Sequence, residues 1–143
     1  MTYLISACLL GTPCRYDGAS REMPEAIRAL LGKHILIPVC PEILGGLPTP
    51  RPPAERQPDG RTVNRNGEDV TDAYLRGAKE VVRLARLYHA DGVILRDRSP
   101  SCGTNGIYDG SFCGRLTDGM GVTAALLHAE GIPIFSEDGP FPT

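Results

Sequence analysis

The chain has 143 residues, a formal net charge of −2, and 41% hydrophobic against 22% charged residues. That length predicts one domain, residues 1–143, with room for a proper core. The near-neutral charge gives no support to a surface that coats a nucleic-acid polymer, and no apolar run approaches the roughly 20 residues that span a bilayer.

Five cysteines is an odd number, which argues against a disulfide framework and leaves packing, metal binding or a reactive thiol. The opening Met1-Thr2-Tyr3-Leu4-Ile5-Ser6 lacks a basic n-region and runs straight into a strand, so a cytoplasmic location is expected. The first strand, residues 3–7, breaks at Gly11-Thr12-Pro13 and leads through Cys14-Arg15-Tyr16-Asp17-Gly18, a turn signal. Pro24 suits the first turn of a short helix with Ile27, Leu30 and Leu31 on one face, closed by Gly32. Residues 34–39 then read as a strand buried on both faces, as in a parallel sheet.

Residues 41–66 carry Pro48, Pro50, Pro52, Pro53 and Pro58 with Gly45, Gly46 and Gly60, a density that excludes regular helix and central strand. A loop this long in a small domain predicts a lid that starts beside Cys40 and folds back over the body. The longest helix is expected to begin at Glu68-Asp69, with Asp69 as N-cap. Its apolar stripe runs from Val70 through Tyr74, Gly77, Val81 and Ala85 to about Ala90. Val93-Ile94-Leu95 forms a third strand that ends in Ser99-Pro100-Ser101-Cys102-Gly103, followed by a Gly-rich region over 105–114. A helix over 121–130, with Val122, Ala125, Leu126 and Ala129 inward, a fourth strand over 132–135 and a polar, proline-rich tail complete the chain.

Strands alternating with helices predict a single-domain α/β fold of three layers. It has an open, mostly parallel sheet of about four strands with helices on both faces, and is Rossmann-like. In such sheets ligands bind at the carboxyl ends of the strands. Cys8, Cys40 and Cys102 each lie just past such an end, so the topology is expected to gather three thiols that are distant in sequence.

This arrangement lacks the paired C-x-x-C knuckles of a zinc ribbon. A [4Fe–4S] cluster usually takes four thiolates, and three would leave one iron an open, catalytic position. Glu42, tethered to Cys40 through Pro41, is placed to act as a general base toward water. Ser99 and Ser101 are placed to donate to a developing anion or to hold substrate. Taken singly, these are an ordinary loop carboxylate and turn-forming serines. Arg15, Arg51, Arg96 and Arg98 are candidates for gripping an anionic group. Two other functions compete: a zinc-stabilised nucleotide-binding module using Cys8, Cys14, Cys40 and Cys102, and a hydrolase with Cys102 as nucleophile.

Several long motifs also resemble the DUF523 family, which includes the thiouracil desulfurases (TudS-type desulfidases). They are Ser6-Ala7-Cys8-Leu9-Leu10-Gly11, Cys14-Arg15-Tyr16-Asp17-Gly18, Cys40-Pro41-Glu42-Ile43-Leu44-Gly45-Gly46-Leu47-Pro48-Thr49-Pro50-Arg51, Gly67-Glu68-Asp69-Val70-Thr71 and Ser99-Pro100-Ser101-Cys102-Gly103. The resemblance covers about residues 6–127. It implies a [4Fe–4S] cluster on Cys8, Cys40 and Cys102, with Glu42 and Ser99 as the catalytic pair; Ser101, Arg15, Arg51 and Arg98 are the residues expected toward substrate. It further implies non-redox removal of sulfur from a thiolated pyrimidine, thiouracil or 4-thiouridine monophosphate, as hydrogen sulfide. A monomer or homodimer is expected. Two departures from the family pattern stand out: Arg96 where a lysine is usual, and Cys113 where a serine is usual. Cys113 and Cys14 are the two thiols beyond the expected ligand set.

Overall fold

The structure, a computed structural model, describes residues 1–141; Pro142 and Thr143, at the end of the expected tail, lie outside the described residues. Strands β1 (Thr2–Ser6), β2 (Ile35–Val39), β5 (Gly92–Leu95) and β8 (Ile134–Ser136) form one parallel sheet in the order β2-β1-β5-β8. Both faces of the central strand β1 are apolar. Tyr3 and Ile5 face helix α1 (Glu25–Leu31) through Ile27 and Leu30, while Leu4 faces helices α3 (Thr71–Leu87) and α4 (Val122–Ala129) through Val81, Val82, Ala85, Ala124 and Leu127. This is the expected three-layer α/β architecture, with a strand buried on both sides reading as a near-continuous apolar run.

The chain steps from β1 outward to β2, then returns to the other side of β1 for β5. The order therefore reverses at β1, and the carboxyl ends of β2, β1 and β5 are neighbours. A reversal of this kind opens a crevice at the strand ends.

Three expectations about burial are corrected. β2 is an edge strand with Ile35 64% exposed. The chain tolerates Pro38 there because an edge strand leaves one row of N–H groups without a ladder partner. Leu31 points outward at 46% exposure, so the buried face of α1 is Ile27 and Leu30. In α4 the buried residues are Val122, Thr123, Ala124 and Leu127, with Ala129 exposed. That face is rotated from the expected one because the helix must meet both α3 and the Ser99–Cys102 loop.

The proline-rich segment is more regular than expected. It contains a one-turn helix α2 (Pro41–Leu44) and a hairpin of β3 (Ala54–Arg56) and β4 (Thr62–Asn64). Pro41 occupies the first turn of α2, where its missing N–H costs nothing, and Pro58 falls in the hairpin turn. The Gly-rich region likewise closes into a small antiparallel ribbon, β6 (Ile107–Tyr108) with β7 (Leu116–Thr117). Helix α3 starts two residues later than expected, at Thr71, whose N–H donates to the Asp69 carboxylate at 2.9 Å.

Candidate metal centre and catalytic carboxylate

Cys8 follows β1 in a single 3-10 turn over Ala7–Leu10, which Gly11 closes in the left-handed conformation at φ 90°. Cys40 follows β2 and is the residue preceding the first turn of α2. Cys102 follows β5 in a tight loop whose Gly121 neighbour leaves no room for a side chain: a Cβ there would lie 2.4 Å from the Ser101 carbonyl. Four backbone N–H groups at the start of α4 close on this loop, from Gly121 to Gly103, Val122 to Pro100, and Thr123 and Ala124 to Ser101. Three neighbouring strands thus deliver the three expected thiols to one end of the sheet.

The charges at this end explain how the thiols are tuned. The Cys14 thiol, then Arg96, hold Cys8 down to about 7 against its burial. The Cys14 thiol, the Ile43 N–H at the start of α2 and Arg51 bring Cys40 to about 7, against burial and the charge of Glu42. Cys14 lies between these two, 3% exposed, and hydrogen bonding to Cys40 and Cys8 raises its own thiol far above the ordinary range. Burial pushes Cys102 up to about 12, helped by the charges of Cys8, Glu42 and Cys40 and opposed by the Ser6 hydroxyl. An anionic cluster of this kind calls for cations, and Arg96 and Arg51 stand beside it. Cys113, by contrast, is exposed on the β6–β7 loop, its Sγ 3.4 Å from the Ser111 carbonyl.

Glu42 sits in the single turn of α2, and each carboxylate oxygen has its own donor. The Tyr74 hydroxyl of α3 donates to Oε1, and Arg51 Nη2 lies 3.3 Å from Oε2. Arg51 is buried, with only 4% of its side chain exposed. Its guanidinium also donates to the Pro48 carbonyl at 3.1 Å, the Thr49 hydroxyl at 3.0 Å and the Cys14 carbonyl at 2.9 Å. Burial, then the charge of Glu42, raises the Tyr74 phenol far above its ordinary value, so it remains the donor of this pair.

Helix α2 is set against α3 backbone to backbone. A Cβ on Gly45 would lie 2.0 Å from the Ala73 carbonyl oxygen, and one on Gly77 would lie 1.8 Å from that of Pro41. No other residue allows so close an approach.

The remaining expected site residues separate. Ser99 Oγ accepts the N–H groups of Ser101 at 3.1 Å and Cys102 at 3.2 Å, which leaves its own proton free to donate. Ser101 is fully buried, its hydroxyl 2.8 Å from that of Thr123 in α4, and it locks the loop to the helix. Arg51 likewise is turned into the protein rather than toward the rim. Arg15 lines a half-open cleft of about 60 Å³ beside Cys8, with Arg21, Arg96, Glu22 and Glu137. Arg98 does not line that cleft; it is exposed, at φ 66°.

Tyr74 and Glu55 were not foreseen as part of this construction. Tyr74 was legible as one member of the α3 stripe, with nothing local to reveal its hydroxyl's partner. Glu55 is 8% exposed, and its Oε1 accepts the N–H groups of Gly110 at 3.0 Å and Phe112 at 3.1 Å, pinning the Gly-rich loop to the proline-rich hairpin.

A nucleophilic cysteine needs a depressed thiol, and Cys102 is displaced the other way. Among the described residues no three His, Cys, Asp or Glu side chains are grouped as a single-ion centre.

Residues 3–139 match the family described as 2-thiouracil desulfurase. The chain belongs to that family. Within the family's likeness, the chain is 42% identical over 144 residues to the uncharacterized protein YbbK of Bacillus subtilis (strain 168), covering 94% of this chain and 95% of that one. It is also similar to a solved structure described as the [4Fe-4S]-dependent thiouracil desulfidase TudS (DUF523Vcz). That likeness has a TM-score of 0.89 and 45% identity, over 96% of this chain and 91% of that one. The fold and the family thus agree with the resemblance read from the motifs.

Proposed function

We propose that this chain is a [4Fe–4S]-dependent desulfidase that replaces the sulfur of a thiolated uracil, free or as its nucleotide, with oxygen and releases hydrogen sulfide. The observation that carries this reading is the pairing of three strand-end thiols with one carboxylate, Glu42, held beside them by Tyr74 and Arg51.

The donor set fits an iron–sulfur cluster. Cys8 and Cys40 are drawn down to about 7, where a thiol readily becomes the thiolate that iron binds. Cys102, although raised by burial, faces the same charges and is the third ligand; metal binding favours the deprotonated form. Cys14, buried between Cys8 and Cys40, is held as the thiol by its neighbours and stands outside the proposed ligand set. When bound by three protein thiolates, the cluster supplies a Lewis-acidic iron with a position free for the substrate's sulfur.

The chain's own residues do the rest. Glu42 takes a proton from water as the oxygen adds to the thiocarbonyl carbon. The carbon–sulfur bond then breaks as the carbonyl forms, and the protons of that water end on sulfide as hydrogen sulfide, with no net electron transfer. The free proton of Ser99 donates to the charge that develops on the substrate. Arg15, Arg21 and Arg96 in the cleft beside Cys8, with Glu22 and Glu137 opposite in charge, offer guanidinium groups to an anionic part of the substrate.

Protein prepared without oxygen is expected to be brown and to hold about four irons and four labile sulfides per chain. Serine replacements of Cys8, Cys40 or Cys102 lose the colour and the release of sulfide from thiouracil or 4-thiouridine monophosphate, whereas Cys113→Ser keeps both. A folded, colourless and iron-free wild-type protein would sink the reading.

A further inference from the structure

We propose that Tyr74 is a positioning residue for the reaction: together with Arg51 it clamps the Glu42 carboxylate by one donor on each oxygen, and turnover depends on that clamp. The inference rests on reading Glu42 as the base and says what makes it one.

Nothing local can hold Glu42 still. Helix α2 is four residues long, and Glu42 lies in its only turn. A single donor would leave the carboxylate free to swing about that bond. Two donors on different oxygens fix both its tilt and its plane. Each carboxylate oxygen offers about two lone-pair sites, so the clamp still leaves a site on each oxygen for water.

The donors are themselves immobile. The Tyr74 ring is 1% exposed, stands on a 17-residue helix and packs with Ala54, Ala78 and Val122. Arg51 is fixed by three further acceptors, the Pro48 and Cys14 carbonyls and the Thr49 hydroxyl. Through the Cys14 carbonyl, Arg51 also ties Glu42 to the loop that carries the thiol between Cys8 and Cys40. The base and the Cys14 loop are therefore held as one unit. Tyr74 is the cleaner probe of the two, because Tyr74→Phe keeps the ring in its apolar cluster and removes only the hydroxyl.

The experiment is a double-mutant cycle on cluster-loaded protein, with wild type, Tyr74→Phe, Glu42→Ala and the pair assayed for sulfide release. Tyr74→Phe is expected to lower kcat by about tenfold to hundredfold with KM unchanged. Iron, labile sulfide and the visible absorption should stay at wild-type levels. In the Glu42→Ala background the same change should cost nothing further, because the group it positions is gone. An equal fold-loss in both backgrounds, or wild-type kcat in Tyr74→Phe, overturns the inference while the loss in Glu42→Ala leaves the base in place. Full activity in Glu42→Ala overturns the reading beneath it. If Tyr74→Phe fails to fold or to hold iron, Arg51→Lys carries the same cycle: a kcat loss confined to the Glu42 background supports the clamp, and an equal loss in both backgrounds overturns it.

Discussion

The backbone contact between α2 and α3 makes Gly77→Ala an informative perturbation. Gly77 lies inside α3, where alanine is intrinsically favoured over glycine by about 1 kcal/mol. Tertiary structure reverses that sign. The added Cβ would sit 1.8 Å from the Pro41 carbonyl oxygen and 2.7 Å from its carbon, whereas ordinary contact begins at 3.4 Å. Neither atom belongs to a side chain that can swing away, so α2 must retreat by about 1.6 Å. Overpacking of this kind costs about 1–3 kcal/mol and occasionally more, which outweighs the gain in helix propensity.

The functional effect is expected to exceed the loss of stability, because the retreating segment is Cys40-Pro41-Glu42. A misplacement of about 1 Å in a catalytic group costs on the order of a hundredfold in rate. Thermal unfolding followed by circular dichroism should show a fall of several degrees, and the sulfide-release rate should fall about a hundredfold, with loss of iron to the extent that Cys40 moves out of reach. A Gly77→Ala protein with wild-type melting temperature, iron content and rate would refute the close contact and the account of how Glu42 is placed.

Ser99→Ala removes the oxygen that accepts the Ser101 and Cys102 N–H groups, at a cost of about 1 kcal/mol by analogy with a lost helix cap, while Ser99→Thr retains it. Sulfide release should drop about a hundredfold in the alanine variant and recover partly in the threonine variant, as a lost transition-state donor predicts. Asp97 contributes to acid stability. Burial works against its charge, but the N–H groups of Arg98, Asn105 and Thr104 outweigh that and hold its carboxyl below the ordinary range. Its contribution is therefore complete above the ordinary carboxylate value of about 3.9 and is lost as pH falls through the lower folded-state value. A melting-temperature series toward acid should be flatter for Asp97→Asn than for wild type.

Much of this protein follows from its sequence alone. Alternation of β and α patterns predicts a parallel sheet, the apolar run of Val93-Ile94-Leu95 predicts a fully buried strand, and the positions of Cys8, Cys40 and Cys102 just past strand ends predict a shared site. Local rules suffice there, because side-chain periodicity and turn residues report directly on the nearest element. Pro41 even marks the start of α2, although the density of prolines around it hides the helix itself.

What lay beyond sequence reading depends on strand order and helix rotation. Alternation says that β2 pairs in a parallel sheet but not that it lies at the edge, which is why Ile35 is exposed. A stripe of apolar residues identifies α3 but not that Tyr74 reaches a carboxylate 32 positions earlier. Arg51 reads as a candidate for gripping an anionic group, and only packing shows it turned inward onto Glu42 and the Cys14 carbonyl. Ser101 reads as a loop hydroxyl placed to hold substrate, and nothing in the sequence shows that the phase of α4 brings Thr123 against it. Sequence determined which residues are candidates for the chemistry, because thiols and carboxylates are chosen for what they are. Tertiary structure decided which of them are buried against one another and which stay open, because a hydrogen bond between distant segments exists only once the layers have packed.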